Sequence, residues 1–219
     1  LLYKLAKCKL QAQDRDLSLN NLVENLYAPL GNNYAQRAAH YQSILQKRHA
    51  LDFADLVFYV RVMLEHELEI GQRWADKFDF VQVDEVQDTH FSEYGIVKHL
   101  AASSGNLAMI GDLDQTIYEW RGSEPDRVIQ QFNHDFNPTK YSLACNYRAT
   151  KTLLNAASGF ADSFEHRQTK ITPAPESEVG ELIQVHLANS ERAEAEWIGK
   201  QIQLLADNQT DFVYSRVAV

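Results

Sequence analysis

FVQVDEVQDT, residues 80–89, sets an alternating apolar run against two adjacent carboxylates, with a third, Asp88, just behind. Such a run reads as a strand leaving the core. In an open α/β sheet, ligands sit beyond the carboxyl ends of the strands, and Asp84 and Glu85 stand at that end. An Asp there can hold Mg²⁺, usually through water, and the next carboxylate can orient or deprotonate an attacking water in phosphoryl transfer. The plainer reading is a pair that caps the following helix.

Outward from this stretch, short apolar runs at 78–83, 106–110, 140–145 and 181–187 alternate with helical segments at 92–102, 125–136, 151–164 and 191–206. Strand, helix, strand, helix predicts an α/β sheet with crossover helices. In Ser123-Glu-Pro-Asp, a cap is followed three residues later by a carboxylate, with Pro125 in the first turn, so Ser123 is the expected N-cap. Ahead of the sheet, residues 1–50 are polar and helical, broken at Ala28-Pro29-Leu30-Gly31, with no strand signal. Residues 51–70 carry apolar residues at helical spacing behind Asp52, an expected N-cap. Residues 172–178 are the one linker-like stretch. The chain opens inside a polar helical stretch and stops at YSRVAV, an apolar run that reads as a strand cut off mid-sheet, which suggests a piece of a larger protein.

The chain has 219 residues, 45% of them hydrophobic, enough to bury a core in one large domain or two small ones. No run approaches the roughly 18 apolar residues of a membrane span, and the start lacks signal-peptide order, so a cytoplasmic protein is expected. Cys8 and Cys145 are too few and isolated for a disulfide framework or zinc site. A net charge of −9 excludes a surface that is one continuous nucleic-acid footprint, while leaving room for a local groove. The His residues are scattered without metal-ligand spacing. Glu65 to Glu69 reads as a solvated helix face, and Trp74 and Trp197 as packing anchors.

Two further strand ends match the first in style. NLAMIGDLDQTIYEWRGS puts Gly111, Asp112, Asp114 and Gln115 directly after an apolar run. Gly permits a sharp turn, and a neutral amide such as Gln115 can sense a phosphate or a water without adding charge. The bland alternative is a polar turn. Tyr118, Trp120 and Arg121 then crowd into four positions, a composition suited to stacking single-stranded bases and holding their backbone, although Trp120 reads equally well as core. In LACNYRAT, Asn146, Tyr147 and Arg148 arrive at the strand end. There Arg148 can approach a triphosphate and Tyr147 can stack on a base, or the Arg can pair with a surface carboxylate.

DEVQDT, GDLDQTIYEWRGS and LACNYRAT resemble, in order and spacing, the second, third and fourth motifs of the UvrD/Rep/PcrA group of superfamily-1 DNA helicases. LDFADLV resembles the segment leading from that group's inserted helical subdomain into its first RecA-like domain. The resemblance implies a partial RecA-like (P-loop NTPase) parallel sheet with flanking helices. It implies a helical piece over 1–50, part of the first RecA-like domain over 51–138, and the start of the second over 139–219. It further implies ATP and Mg²⁺ as cofactors and single-stranded DNA as partner. By it, Asp84 would help hold Mg²⁺, Glu85 would position the hydrolytic water, and Gln115 would report the γ-phosphate to the DNA site. Tyr118, Trp120 and Arg121 would contact DNA, Tyr147 would stack on the adenine, and Arg148 would reach the γ-phosphate.

Departures accompany the matches. These residues contain no phosphate-cradling G-x-x-x-x-G-K-[ST], and the family's last motifs with their second arginine finger are absent. Triphosphate affinity depends on that loop, so the chain by itself is expected not to hydrolyse ATP at a useful rate. Glu119 stands where the family often has Gly, and Cys145 where Gln is common. Two other readings stay open: a helicase-like adaptor that binds DNA or protein without hydrolysis, and part of a RecB-like helicase–nuclease. Leu113-Asp114 and Trp120 look closer to the UvrD type than to the latter.

Overall fold

The computed structural model describes residues 2–13, 22–164, 167 and 170–219; the helical expectation for 14–21 lies outside them. The chain divides into two compact units, one of residues 1–146 and 157–172, the other of 147–156 and 173–219.

The first unit opens with helices α1 (Leu2–Leu10), α2 (Leu22–Tyr27) and α3 (Asn32–Lys47). The expected break is a 3₁₀ turn, Ala28–Leu30, with Pro29 in its first turn, and Gly31 supplies the positive φ of 78° that starts α3. Next comes α4 (Phe53–His66), whose start is as expected. Asp52 Oδ1 accepts from the Asp55 N–H at 2.8 Å, and Asp55 Oδ2 accepts from the Asp52 N–H at 3.1 Å, a reciprocal capping box. The predicted helix over 51–70 is in fact two. The chain turns at Glu67 into α5 (Leu68–Ala75), and Gly71 makes the turn feasible, since a Cβ there would lie 2.7 Å from the Leu64 carbonyl oxygen.

Helix α4 packs against α1, α5 and α6 (Phe91–Leu100). Phe58 and Val62, four residues apart on one face, close a core with Leu5, Ala12, Leu26, Tyr27 and Ala38. Burying each large side chain contributes about 1.5–3 kcal/mol. Beside this core lies a buried polar network. Lys9 Nζ sits 2.8 Å from both Asp52 Oδ2 and Asp55 Oδ1, with Lys9 and Asp55 fully enclosed. Gln42 Nε2 donates to Asp55 and to the Tyr59 hydroxyl (3.0 Å), while the Tyr27 hydroxyl donates to Gln42 Oε1 at 3.3 Å. Burial alone would raise the Asp52 carboxyl, but bonds from Lys9 and the Asp55 N–H hold it below its ordinary range. Burial, then the nearby Asp55 and Asp52 charges, push the Tyr27 phenol upward. Both carboxylates that hold the cation come from the start of α4, and Gln42 of α3 bonds one of them, so the network sets how α1, α3 and α4 meet.

A second buried cation ties α4 to α6. Arg61 Nη1 donates to the Ala12 carbonyl (2.5 Å) and to Ser92 Oγ (3.3 Å), and Ser92 Oγ donates to the Lys9 carbonyl (2.7 Å). The guanidinium fits because residue 95 is Gly; a Cβ there would lie 2.5 Å from Arg61 Nε.

Strands β1 (Val81–Val83) and β2 (Leu107–Met109) pair in parallel, Val81 opposite Leu107 and Val83 opposite Met109, with α6 as the connection. Under them lies a second core of Val86, Phe91, Tyr94, Val128 and Phe132. Its Val128 and Phe132 come from α7 (Pro125–Phe136). Pro125 is at the first position as expected, but the N-cap is Glu124, not Ser123. The Ser123 hydroxyl points into the protein, buried without a hydrogen-bond partner, because the chain is still turning there. Asp135 near the end of α7 accepts from the Tyr94 hydroxyl (2.8 Å) and pairs with Lys98 (2.9 Å). Burial would raise its carboxyl, yet these bonds, with His134 and Gln131, pull it down to about 2.

The expected strand over 140–145 is reduced to β3 (Cys145–Asn146), which pairs with β4 (Thr172–Pro173); the Thr172 N–H donates to the Ala144 carbonyl at 2.7 Å. Helix α8 (Lys151–Ala161) follows β3, and the division between units falls within it. In the second unit the segment at 178–179 accepts the first N–H groups of α8, from Lys151 and Thr152, both at 2.9 Å. Helix α9 (Glu191–Asn208) is capped by Ser190, and Trp197 stacks on His186 at 4.4 Å. The strand predicted over 181–187 does not form, and Val185 and Leu187 are 90% and 92% exposed. A strand persists only when a neighbour takes up its N–H and C=O groups, and among the described residues none runs beside it. The same holds for 217–219, which follow a 3₁₀ turn at Tyr214–Arg216. Among the described residues the fold is therefore mixed α/β with small sheets, of which the β1–β2 pair is parallel. Glu65 also departs from the solvated face expected of it, bonding His99 at 2.5 Å.

Lys9→Met is expected to destabilise the chain by about 3–5 kcal/mol, read from the urea midpoint, because it leaves a buried carboxylate unpaired. Asp135 has a folded pKa below its unfolded one, so its contribution is present above pH 3.8 and is lost as pH falls toward about 2. Asp135→Asn is expected to lower the thermal midpoint at pH 7 and to flatten its decline across that acid window.

Candidate functional site

The end of β1 is shaped by Ile110, the residue just after β2. Ile110 donates its N–H to the Val83 carbonyl (2.8 Å) and accepts from the Val86 N–H on its own carbonyl (2.9 Å). Val83 and Val86 are thus both fixed to the same partner, and Asp84 and Glu85 form the two-residue excursion between them. To return in so few bonds, Glu85 takes left-handed dihedrals, φ 55° and ψ 44°, a conformation that costs a non-Gly residue roughly 1–2 kcal/mol. Asp84 Oδ1 accepts from the Glu85 N–H at 2.9 Å. Both carboxylates are exposed. Neither caps α6, whose N-cap is His90, with Glu93 Oε2 accepting from its N–H at 2.8 Å.

Behind the excursion, Val86 belongs to the core and Gln87 is 2% exposed. Gln87 Nε2 donates to Glu85 Oε2 at 2.5 Å, and Gln87 Oε1 accepts from the Asp112 N–H at 3.1 Å. This contact requires Gly111. A Cβ at that position would run into Gln87 Oε1 and lie 2.6 Å from Val86 Cγ1 and 2.9 Å from the Val86 nitrogen. Asp112 in turn caps the 3₁₀ turn Leu113–Gln115 by accepting from the Asp114 N–H (3.1 Å), and its other oxygen accepts from Gln115 Nε2 (2.7 Å). The GDLD segment is a polar turn, and the turn is bonded to Glu85 through Gln87.

Directly after it, Arg121 lies over the rings of both Tyr118 (5.3 Å) and Trp120 (5.6 Å). Trp120 is 65% exposed, so it is not core. The loop is held from below, where the Gly122 carbonyl accepts from Gln11 Nε2 (3.2 Å) and Gly122 itself, at φ 106°, sits buried beside Lys7 and His90. Arg127 rests on the Phe91 ring at 3.8 Å, joining the start of α7 to α6. A pre-stacked cation and two aromatic rings on a fixed loop present π-faces and positive charge together.

Asp84, Glu85, Gln115, Tyr118, Trp120 and Arg121 therefore lie on two consecutive strand-end segments of one unit. Tyr147 and Arg148 belong to the other unit, where both are exposed. Gln87 and the backbone of Asp112 are the linking groups that sequence reasoning passed over.

A cation at Asp84 fits what surrounds it. The carboxylate is exposed and adjoins a second one, and Oδ1 of Asp88 is buried without a hydrogen-bond partner in the same turn. Among the described residues no three His, Cys, Asp or Glu groups converge as a closed metal cage. Such an open carboxylate would suit a magnesium ion completed by phosphates and water.

Comparison with known proteins gives the family. The profile of the UvrD/REP helicase N-terminal domain matches residues 2–137, and that of the UvrD-like helicase C-terminal domain matches 141–219. The chain belongs to the UvrD/REP helicase family. It is 32% identical over 206 residues to a probable DNA helicase II homolog of Mycoplasma capricolum, a match covering 94% of this chain and 28% of that protein. It is 36% identical over 180 residues to the ATP-dependent DNA helicase PcrA of Staphylococcus epidermidis, covering 82% of this chain and 24% of the relative. Against the Staphylococcus aureus PcrA the identity is 37% over 163 residues, covering 74% and 22%. The chain thus spans roughly a quarter of the length of these relatives.

Gly111→Ala is expected to cost about 1–3 kcal/mol by overpacking Val86 and Gln87, read by chemical denaturation. In contrast, Gly159→Ala in α8, where a Cβ meets nothing within 4 Å, is expected to be neutral or to stabilise by up to about 1 kcal/mol.

Proposed function

We propose that the protein carrying this chain is an ATP-dependent DNA helicase or translocase that couples Mg-ATP hydrolysis to movement along single-stranded DNA, 3′ to 5′. The observation that carries this reading is the hydrogen-bonded path from Glu85 to Gln115, immediately followed by the stack of half-buried Tyr118 with exposed Trp120 and Arg121. It joins a group suited to water activation to a surface suited to bases. The names of the relatives support ATP and DNA as its ligands.

In this reading the β1–β2 pair belongs to a RecA-like sheet, with boundaries near Ala50 and Thr139: a helical subdomain piece over 1–50, the first RecA-like domain over 51–138 and the second from 139. Asp84 would hold Mg²⁺, which when bound neutralises charge on the nucleotide's phosphates. Glu85 orients the attacking water and accepts its proton, and Gln115 senses the γ-phosphate. Tyr147 stacks on the adenine and Arg148 stabilises charge on the γ-phosphate. Tyr118, Trp120 and Arg121 grip the DNA strand. The protein works in the cytoplasm; among the described residues no helix is long and apolar enough to cross a membrane. The 219 residues alone, which hold no G-x-x-x-x-G-K-[ST], turn over ATP poorly.

The test is steady-state ATP hydrolysis by the full-length protein with and without oligo(dT). Stimulation by the oligonucleotide is expected, with Glu85→Gln lowering kcat by roughly 10²-fold or more. Trp120→Ala is expected to weaken single-stranded DNA binding by about 1–3 kcal/mol. DNA binding by the wild type without turnover would replace this reading with the non-hydrolysing adaptor.

A further inference from the structure

Gln87 is buried in the middle of the site without belonging to the set of groups that would meet nucleotide or DNA. Its amide has only one workable orientation. The Glu85 carboxylate can only accept and the Asp112 N–H can only donate, so Nε2 must face the first and Oε1 the second. With the side chain 2% exposed, water has little access to replace either bond.

The bonds also share a direction. Gln115 Nε2 donates to Asp112 Oδ2, the Asp112 N–H donates to Gln87 Oε1, and Gln87 Nε2 donates to Glu85 Oε2. Every donor points toward Glu85, and an amide in such a series is polarised by its neighbours in the same sense. At the Glu85 end the backbone is strained at φ 55°, a conformation that persists only where surrounding bonds over-determine it. At the other end Gly111 lets the turn approach closely enough to make the bond.

We infer that Gln87 is a positioning residue that fixes the Glu85 carboxylate and the Asp112–Gln115 turn as one unit, so that displacement of the turn is passed to the carboxylate. The inference rests on the proposed function, since it assigns Glu85 a water to orient. Removing the amide leaves Glu85 in place along the chain but free to rotate, and leaves the Asp112 N–H unpaired. The effect belongs to turnover rather than to substrate binding, because Gln87 is not exposed to either ligand.

The experiment measures ATP hydrolysis and oligo(dT) binding by the full-length protein with Gln87→Met, which removes both bonds, and Gln87→Glu, which keeps only the acceptor for Asp112. Thermal unfolding of each variant reports folding. In both, kcat at saturating oligonucleotide is expected to fall about tenfold or more. The KM for ATP and the Kd for DNA stay within about twofold of wild type. In a Glu85→Gln background, Gln87→Met is expected to change the residual rate by less than about twofold, because the group it positions is gone. A folded Gln87→Met or Gln87→Glu protein with kcat near wild type overturns the inference, as does an undiminished loss in the Glu85→Gln background. A wild type without turnover is a different result, since it removes the proposed function and this inference with it.

Discussion

The pair of hydrogen bonds on Ile110 is the constraint from which the site follows. One residue at the exit of β2 holds Val83 and Val86 together, so the intervening Asp84 and Glu85 have no course except outward, with Glu85 in a left-handed conformation. The same exit then places Gly111 against Val86 and Gln87, which brings the Asp112 turn into bonding distance of the Gln87 amide. Because Val86 is also a core residue, the geometry of the carboxylates is anchored in the packing of α6 and α7 against the strands. Strand pairing, backbone strain and polar contacts here are consequences of one parallel register.

Much of this was readable in the residues. Asp52 announced α4 by its place before an apolar stripe, and the structure adds a reciprocal bond from Asp55 that the spacing permits. The end of an alternating run located Asp84 and Glu85, and crowding of aromatics with Arg located the Tyr118–Arg121 loop. What the pattern hid was whatever depends on tertiary approach. Gln87 drew no reading because its value lies in two partners, one of them 25 positions away. Ser123 looked like a helix cap because cap chemistry is local, whereas the turn after Gly122 delays the helix by one residue. Residues 181–187 read as a strand because side-chain alternation is visible in sequence and a ladder partner is not. The roles of Tyr147 and Arg148 rest on resemblance, since they lie in a different unit from Glu85.

The helical part of the first unit shows a different economy. Lys9 and Arg61 are both buried cations: Lys9 of α1 pairs with two carboxylates at the start of α4, and Arg61 of α4 donates to the Ala12 carbonyl and to Ser92 of α6. Ion pairs of this kind contribute modestly to net stability, because desolvation offsets their attraction, but they penalise any arrangement that separates the partners. Apolar contacts among Leu5, Phe58 and Val62 would tolerate sliding or rotation; the Lys9 pairs would not. The arrangement of α1 and α4 beneath the Gly122 loop is therefore specified more by charge than by shape.

The lack of a side chain at residue 95 has an evolutionary meaning. Since Arg61 occupies the space where any side chain on residue 95 would begin, the two positions form a single heritable unit. A lineage that enlarges residue 95 must shorten residue 61 in the same step or pass through a clash, and a lineage that shortens residue 61 first opens a hollow beside Phe91 that only a larger neighbour can refill.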